Sequence, residues 1–132
     1  MAGSLTLADL SILGAVIAYM TPIAVAKYSS IKTFDNARPR DPGFYKDPLR
    51  GRALAAHQNG LEGFAFFAAA VIVAQIRGGA QPVVDAMAIA YVVLRFAYVG
   101  LYIGDRPGLR SGTWALGFAA NVAILLSPLF AR

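Results

Sequence analysis

The chain has 132 residues, of which 58% are hydrophobic and 14% are charged, and its formal net charge is +5. Average soluble domains are only about 45–50% apolar, and disordered chains are less apolar still. The chain has no cysteine and one histidine, which excludes disulfides, thiolate metal sites and histidine-rich zinc sites. We therefore expect an integral membrane protein without a metal, organised as a single domain over residues 1–132.

Four stretches are long and apolar enough to cross a bilayer core, which takes about 20 residues as a helix. They cover residues 5–26, 54–76, 82–104 and 111–131. No Lys or Arg precedes Lys27, so we interpret the first stretch as a retained span and not as a signal peptide. Short turns with Gly and Pro follow the second and third stretches, which predicts an all-α, four-transmembrane-helix, up-down bundle.

The basic residues predict the orientation in the membrane. Seven of the twelve lie in the long first connection, between residues 27 and 52, and the third connection adds Arg106 and Arg110. The opposite side has only Arg77 and Arg132. Basic loops stay in the cytoplasm, so we expect the N- and C-termini on the non-cytoplasmic side. The clustered positive charge is then explained by the orientation of membrane insertion and by contact with anionic lipid, and no nucleic-acid partner is expected.

Polar residues in the second span are functional candidates, because ionisable groups are costly at membrane depth. A helix advances about 100° per residue, which places Arg52, Asn59 and Glu62 within about 80° of one another. His57 points to a different face. Structural alternatives remain open: Glu62 can pair with an arginine of the bundle, and Asn59 can be an interhelical hydrogen bond.

A second stripe lies on the third span. Tyr91, Arg95, Tyr98 and Tyr102 fall within about 60° on the same arithmetic. Both stripes are predicted in the cytoplasmic half of the bundle, where they would converge. Guanidinium groups bind carboxylates in a bidentate way, so the combined site suits a small zwitterionic ligand with excess negative charge. The tyrosines can instead form an interfacial belt, and Arg106 and Arg110 can serve as topology signals.

Two polar residues of the fourth span receive structural interpretations. Trp114 is interpreted as an anchor at the membrane interface, where tryptophan is enriched. Asn121 is interpreted as an isolated packing residue.

These runs resemble the family of membrane-associated proteins in eicosanoid and glutathione metabolism (MAPEG). The run RALAAHQNGLEGFAFFAAAV, from Arg52 to Val71, resembles the family's Arg…Asn-x-x-Glu segment. The run RFAYVGLYIGDRPGLRS, from Arg95 to Ser111, resembles its Arg-x-x-Tyr-x-x-x-Tyr segment followed by an arginine. The resemblance covers essentially the whole chain and is strongest to an uncharacterised bacterial branch.

The resemblance implies a homotrimer that takes glutathione as co-substrate and reaches a lipophilic second substrate from the bilayer. Arg110 would be the catalytic arginine that stabilises the thiolate. Ala55 stands where many members carry an arginine, so one carboxylate clamp is missing. The residues implied in glutathione binding are Arg52, Asn59, Glu62, Arg95, Tyr98 and Tyr102, with His57 and Arg106 as weaker candidates.

The predicted function is therefore a membrane-bound, glutathione-dependent transferase or peroxidase acting on lipophilic electrophiles. Two alternatives stay open at this point. One is a small four-helix transporter that uses Glu62 as its membrane carboxylate; a desolvated, isolated carrier would have a raised pKa, whereas arginine neighbours keep a carboxylate ionised. The other is a non-enzymatic membrane protein that keeps the fold and binds another ligand.

Overall fold

The computed structural model describes residues 3–131, and over that range it contains four long helices and no strand. Met1, Ala2 and Arg132 lie outside the described residues. The prediction that Arg132 lies on the non-cytoplasmic side therefore also falls outside them. All four helices are long and apolar enough to cross a membrane, which confirms the predicted all-α membrane bundle. They are α1 (Leu7–Ser29), α2 (Pro48–Ile76), α3 (Gln81–Ile103) and α4 (Pro107–Leu126), with short 3-10 turns at Phe44–Lys46 and Ser127–Leu129.

Helices α2 and α4 begin six and four residues before the apolar stretches predicted from composition. Helix α2 starts at Pro48, and its N-cap is Asp47, whose side chain accepts the backbone N–H of Arg50 at 3.1 Å. Helix α4 starts at Pro107, directly after a turn in which Asp105 has φ 55°. Proline suits the first turn of a helix because its missing N–H would have no partner there. Because of these additional turns, the polar residues at the ends of these two spans belong to helices and not to loops.

Helices α1 and α4 each pack against both α2 and α3, and they scarcely touch each other. Small side chains line the α1 seam at intervals of three and four, where Ala8, Ser11, Ala15 and Ala18 are buried. A Cβ added to Gly60 of α2 would meet the Cβ of Tyr19 at 2.5 Å and its Cα at 3.2 Å. Only glycine allows α1 and α2 to approach this closely, as expected for helices that pack through small residues.

Polar groups of three helices meet at the end of the bundle that holds the start of α1. The Oδ1 atom of Asp85 accepts the backbone N–H of Ala8 and the Nε2 of Gln81, both at 2.8 Å. The Nε2 atom of Gln75 donates to the Thr6 hydroxyl at 2.8 Å and to Asp9 Oδ1 at 3.3 Å. We call this group the polar cap; its members are Thr6, Asp9, Gln75, Gln81 and Asp85.

The other end of the bundle, which we call the basic end, holds the connection between α1 and α2 and the turn between α3 and α4. Its long connection is fixed by aromatic contacts: the Phe34 and Phe44 rings meet edge to face with centroids 5.2 Å apart. Arg50 donates from Nε to the Phe44 carbonyl at 2.7 Å, and its guanidinium lies 4.4 Å from the Phe44 ring centroid. Arg50 is therefore committed to this connection.

Candidate functional site

Arg95 lies on the buried face of α3 and is only 6% exposed. Its Nη1 donates to Asn59 Oδ1 of α2 at 3.1 Å, and its guanidinium carbon lies 4.3 Å from the Tyr98 ring centroid. Its Nη2 is buried and has no hydrogen-bond partner within residues 3–131. A buried charge is normally paired with an opposite charge. Here the guanidinium contacts the Asn59 amide and the Tyr98 ring in place of a carboxylate, and its Nη2 has no hydrogen-bond partner among the described residues.

Aromatic rings connect Arg95 to a second arginine at the basic end. The rings of Tyr98 and Tyr102 meet edge to face with centroids 5.6 Å apart. The guanidinium carbon of Arg110, from the first turn of α4, lies 4.2 Å from the Tyr102 centroid. Arginine over an aromatic face is a cation–π contact. We call Arg95, Tyr98, Tyr102 and Arg110 the arginine–tyrosine ladder.

The ladder follows from local structure. Residues three and four apart share a face of a helix, so Arg95, Tyr98 and Tyr102 align on α3. The tight turn with Asp105 at positive φ reverses the chain and brings Arg110 back over Tyr102. Across the described part of the chain, neither Arg95 nor Arg110 makes an ion pair with a carboxylate. The ladder therefore carries two positive charges that are not paired with an acidic side chain of the described residues.

A cavity of about 280 Å³ opens beside the ladder, between α2, α3 and α4. One wall is polar and contains Asn59, Glu62, Tyr91, Arg95 and Asn121. Glu62 is exposed on this wall. Asn121 is only 2% exposed, and its Oδ1 has no hydrogen-bond partner among residues 3–131.

The other wall is aromatic. The rings of Trp114 and Phe118 on α4 stack with centroids 5.6 Å apart, and Phe66 of α2 lies 5.6 Å from Phe118. Trp114 is 47% exposed and Phe118 is 49% exposed, so this wall faces the outside of the bundle. The cavity can therefore hold a molecule with a polar part against α3 and an apolar part towards the membrane.

One glycine makes room for Tyr91 in the cavity wall. Its ring stacks on Phe67, with centroids 4.2 Å apart. A Cβ at Gly63 would meet the Tyr91 hydroxyl at 3.0 Å, and one at Gly117 would meet its ring at 3.6 Å. Gly63 of α2 thus leaves room for the Tyr91 hydroxyl, whereas a Cβ at Gly117 of α4 would make an ordinary van der Waals contact with the ring.

The structure brings five of the predicted site residues into one connected set: Asn59 bonds Arg95, and the ladder continues to Tyr98, Tyr102 and Arg110. Glu62 lines the same cavity. No ion pair of the described residues includes Glu62, so the alternative that it pairs with an arginine of the bundle has no counterpart here.

The other three predicted residues lie elsewhere. Arg52 donates from Nε to the carbonyl of Ile103 at 3.0 Å, at the C-terminus of α3 and one residue beyond Tyr102. His57 contacts the Tyr19 carbonyl through Nδ1 at 2.6 Å, in the interface between α1 and α2. Arg106 is exposed in the turn before α4.

Two cavity residues were missed by sequence reasoning. Trp114, which the sequence predicts as an interfacial anchor, and Asn121, which it predicts as a packing residue, both line the cavity. The available signal was their spacing: Trp114, Gly117 and Asn121 are three and four residues apart, which places them on one face of α4. That face could not be recognised as a cavity wall without the packing of α2 and α3 against it.

The match of the chain to a protein-family model agrees with this architecture. No curated protein and no solved structure matches the chain. The sequence profile of the MAPEG family matches residues 7–130, which is nearly the whole chain. Proteins of this family are membrane proteins that act on lipophilic substrates and generally use glutathione. The protein is therefore an integral membrane protein that belongs to the MAPEG family.

Proposed function

We propose that the protein is a glutathione-dependent transferase or peroxidase that acts on lipophilic electrophiles in the membrane. The observation that carries this proposal is the arginine–tyrosine ladder beside an aromatic-walled cavity. Neither of its two guanidinium groups forms an ion pair with a carboxylate of the described residues. Such groups favour an anionic ligand, and the aromatic wall favours an apolar one.

The side chains around the ladder fit the groups of glutathione, which has two carboxylates, one ammonium and one thiol. The partnerless Nη2 of Arg95 offers a buried donor. Glu62, exposed on the cavity wall, suits an ammonium group. Arg52 lies at the basic end, next to Tyr102, and its remaining guanidinium nitrogens can reach a carboxylate there. Ala55 has no guanidinium group, so binding of the glutathione carboxylates at this site depends on Arg52 and Arg95.

Glutathione supplies the nucleophilic sulfur. A thiol with an ordinary pKa of about 8.5 is mostly protonated at pH 7, whereas the thiolate is the reactive form. Arg110 would stabilise that thiolate. Lowering the thiol pKa by about two units requires about 2.7 kcal/mol, which one desolvated guanidinium can provide. Tyr102 holds the Arg110 guanidinium 4.2 Å from its ring centroid without neutralising it.

The aromatic wall would hold the second substrate. Phe66, Trp114 and Phe118 form an apolar surface that opens outward from the bundle, so a lipophilic molecule can enter sideways from the bilayer. Holding the electrophile beside a thiolate lowers the barrier by orientation, because the reacting groups no longer have to meet by diffusion.

We further propose a homotrimer with both termini outside the cytoplasm, which for a bacterial protein means the inner membrane. Outward-facing side chains support contact with lipid or with neighbouring copies: Leu13 of α1 is 60% exposed and Leu116 of α4 is 62% exposed. The basic connection between α1 and α2 supports the orientation, since basic loops remain in the cytoplasm.

Calorimetric titration of glutathione into detergent-purified protein tests the proposal. We expect saturable binding by the wild type and none by Arg95→Ala/Glu62→Ala. Arg38→Ala is the matched control, because Arg38 lies in the exposed connection 3.6 Å from Asp35 and 3.7 Å from Asp41. Absence of binding by folded wild type would remove glutathione from the function. Binding without conjugation of any electrophile would favour the transporter or the non-enzymatic alternative.

A further inference from the structure

A second cavity lies at the basic end, between the last three turns of α1 and the connection to α2. It has a volume of about 320 Å³, and it shares no lining residue with the cavity beside the ladder. We call it the interfacial groove. Helix α1 and the connection contribute its walls, which are Met20, Ile23, Ala24, Lys27, Tyr28, Phe34, Pro39 and Tyr45.

The interfacial groove is apolar with a positive charge at one end. Lys27 is the charged member of its lining, and its ammonium nitrogen lies 4.9 Å from the Phe34 ring centroid. Within residues 3–131, Lys27 forms no ion pair. Asp35 and Asp41 of the connection contact Arg38 instead, at 3.6 and 3.7 Å. The ammonium group is therefore available to an anion from outside the chain.

The groove extends from the depth of the acyl chains to the level of the lipid headgroups. Helix α1 has 23 residues and is about 34 Å long, slightly more than the bilayer core of about 30 Å. Lys27 lies in its last turn, at the membrane surface. Met20 lies seven residues earlier, which is about 10 Å deeper along the helix axis. The charge and the apolar walls thus match the order of groups in a phospholipid.

We propose that the interfacial groove binds an anionic phospholipid, with the phosphate on Lys27 and the upper part of one acyl chain against Met20 and Ala24. A soluble anion would use the ammonium group alone, and a hydrocarbon would use the apolar walls alone. A zwitterionic headgroup carries its own ammonium, which offsets the attraction to Lys27. The proposed orientation places this end in the cytoplasmic leaflet, where anionic lipids are enriched and basic pockets bind their headgroups.

The test compares three probes: phosphatidylglycerol, phosphatidylcholine with the same acyl chains, and glycerol phosphate, which has no chain. Native mass spectrometry of protein purified in a neutral detergent measures both the number of bound probes and their affinities. We expect phosphatidylglycerol to bind about fivefold more tightly than phosphatidylcholine, since one basic residue at an anionic headgroup contributes a factor of this order. Glycerol phosphate should bind more weakly than either lipid, because it leaves the apolar walls empty.

Two variants separate the charge from the apolar walls. Lys27→Gln should weaken phosphatidylglycerol about fivefold and leave phosphatidylcholine unchanged. Lys32→Gln is the matched control, because Lys32 is an exposed lysine of the connection that does not line the groove. Ala24→Leu fills the groove and keeps Lys27. It should weaken both lipids about tenfold, a factor that corresponds to displacing about two methylenes of the chain.

Equal affinity of the wild type for the two lipids would overturn the proposal, and this comparison needs no variant to fold. Glycerol phosphate binding as tightly as phosphatidylglycerol would reduce the groove to a simple anion site. An equal loss in Lys27→Gln and Lys32→Gln would mean diffuse attraction to the basic connection. If no lipid binds and Ala24→Leu changes the oligomeric mass, a neighbouring copy occupies the groove, and the proposal again fails. Because the assay contains no glutathione, its outcome is independent of the glutathione titration.

Discussion

The two ends of the bundle use polar groups in opposite ways. In the polar cap, Asp85 accepts two hydrogen bonds at 2.8 Å, and Gln75 donates to Thr6 and Asp9, so three helices are tied together by satisfied groups. At the ladder, Arg95 has one amide partner and a nitrogen with none in the described chain. A satisfied polar group stabilises a fold, whereas an unsatisfied one costs stability and is available to a ligand. The difference separates the structural end of this protein from the candidate functional one.

The largest effect is expected at the outer arginine of the ladder. Arg110→Ala should lower glutathione conjugation at pH 7 by about 25-fold, because the thiol pKa returns from about 6.5 towards its ordinary value of about 8.5 and the thiolate fraction falls accordingly. Glutathione affinity should change far less. The residual rate should rise with pH up to about 8.5, as the free thiolate forms without the arginine.

Conjugation rates and calorimetric affinities measured over the same pH range check this prediction. Arg38→Ala, in the exposed connection, serves as the control for loss of one positive charge. An equal loss of conjugation and binding in Arg110→Ala would reject the thiolate role and leave a binding role.

A substitution in the polar cap should lower the stability of the protein without changing its affinity for glutathione. Asp85→Ala removes the acceptor for the Ala8 backbone N–H and for Gln81, and should lower the free energy of unfolding by about 2 kcal/mol. Glutathione affinity of the folded protein should stay unchanged. Unfolding in mixed micelles measures the loss, and Asp35→Ala in the exposed connection is the matched control. A similar loss in both variants would mean that the cap contributes nothing specific.

Arg95 should show the reverse pattern. Arg95→Met should lower glutathione affinity by about tenfold, which corresponds to about 1.4 kcal/mol. Unfolding should be no easier than in the wild type, because replacing an incompletely paired buried charge by an apolar side chain is often neutral or stabilising. The same titration and unfolding experiments give both numbers. A loss of stability as large as that of Asp85→Ala would erase the contrast between the two ends.

The smallest effect is expected for His57. The Tyr19 carbonyl can only accept, so the Nδ1 of His57 carries the hydrogen in this 2.6 Å contact between α1 and α2. His57→Ala should cost about 1 kcal/mol of stability, with glutathione affinity unchanged. Gln58→Ala, on the exposed neighbouring position, should cost less. Loss of glutathione affinity in His57→Ala would instead place this side chain in the ligand site.

The order of the helices and the alignment of the polar stripes could be predicted from the sequence. Apolar length determines where a chain can cross a bilayer, and helical periodicity places Arg95, Tyr98 and Tyr102 on one face whatever surrounds them. Asn59 was likewise predicted to converge with Arg95, and the two side chains are bonded at 3.1 Å. These features depend on neighbouring residues within one helix, or on two helices whose positions in the membrane are limited by their apolar length.

Other features depend on which helix faces which, and only the tertiary structure decided them. Arg52 shares a stripe with Asn59, but it reaches the end of α3 at the Ile103 carbonyl. Asn121 appeared isolated because its relevant neighbours come from α2 and α3. The close approach of α1 at Gly60 and the cavity beside Arg95 arise from volumes left between helices. Periodicity determines the direction of a side chain around its own axis, whereas packing determines what it meets and whether its hydrogen bonds are satisfied.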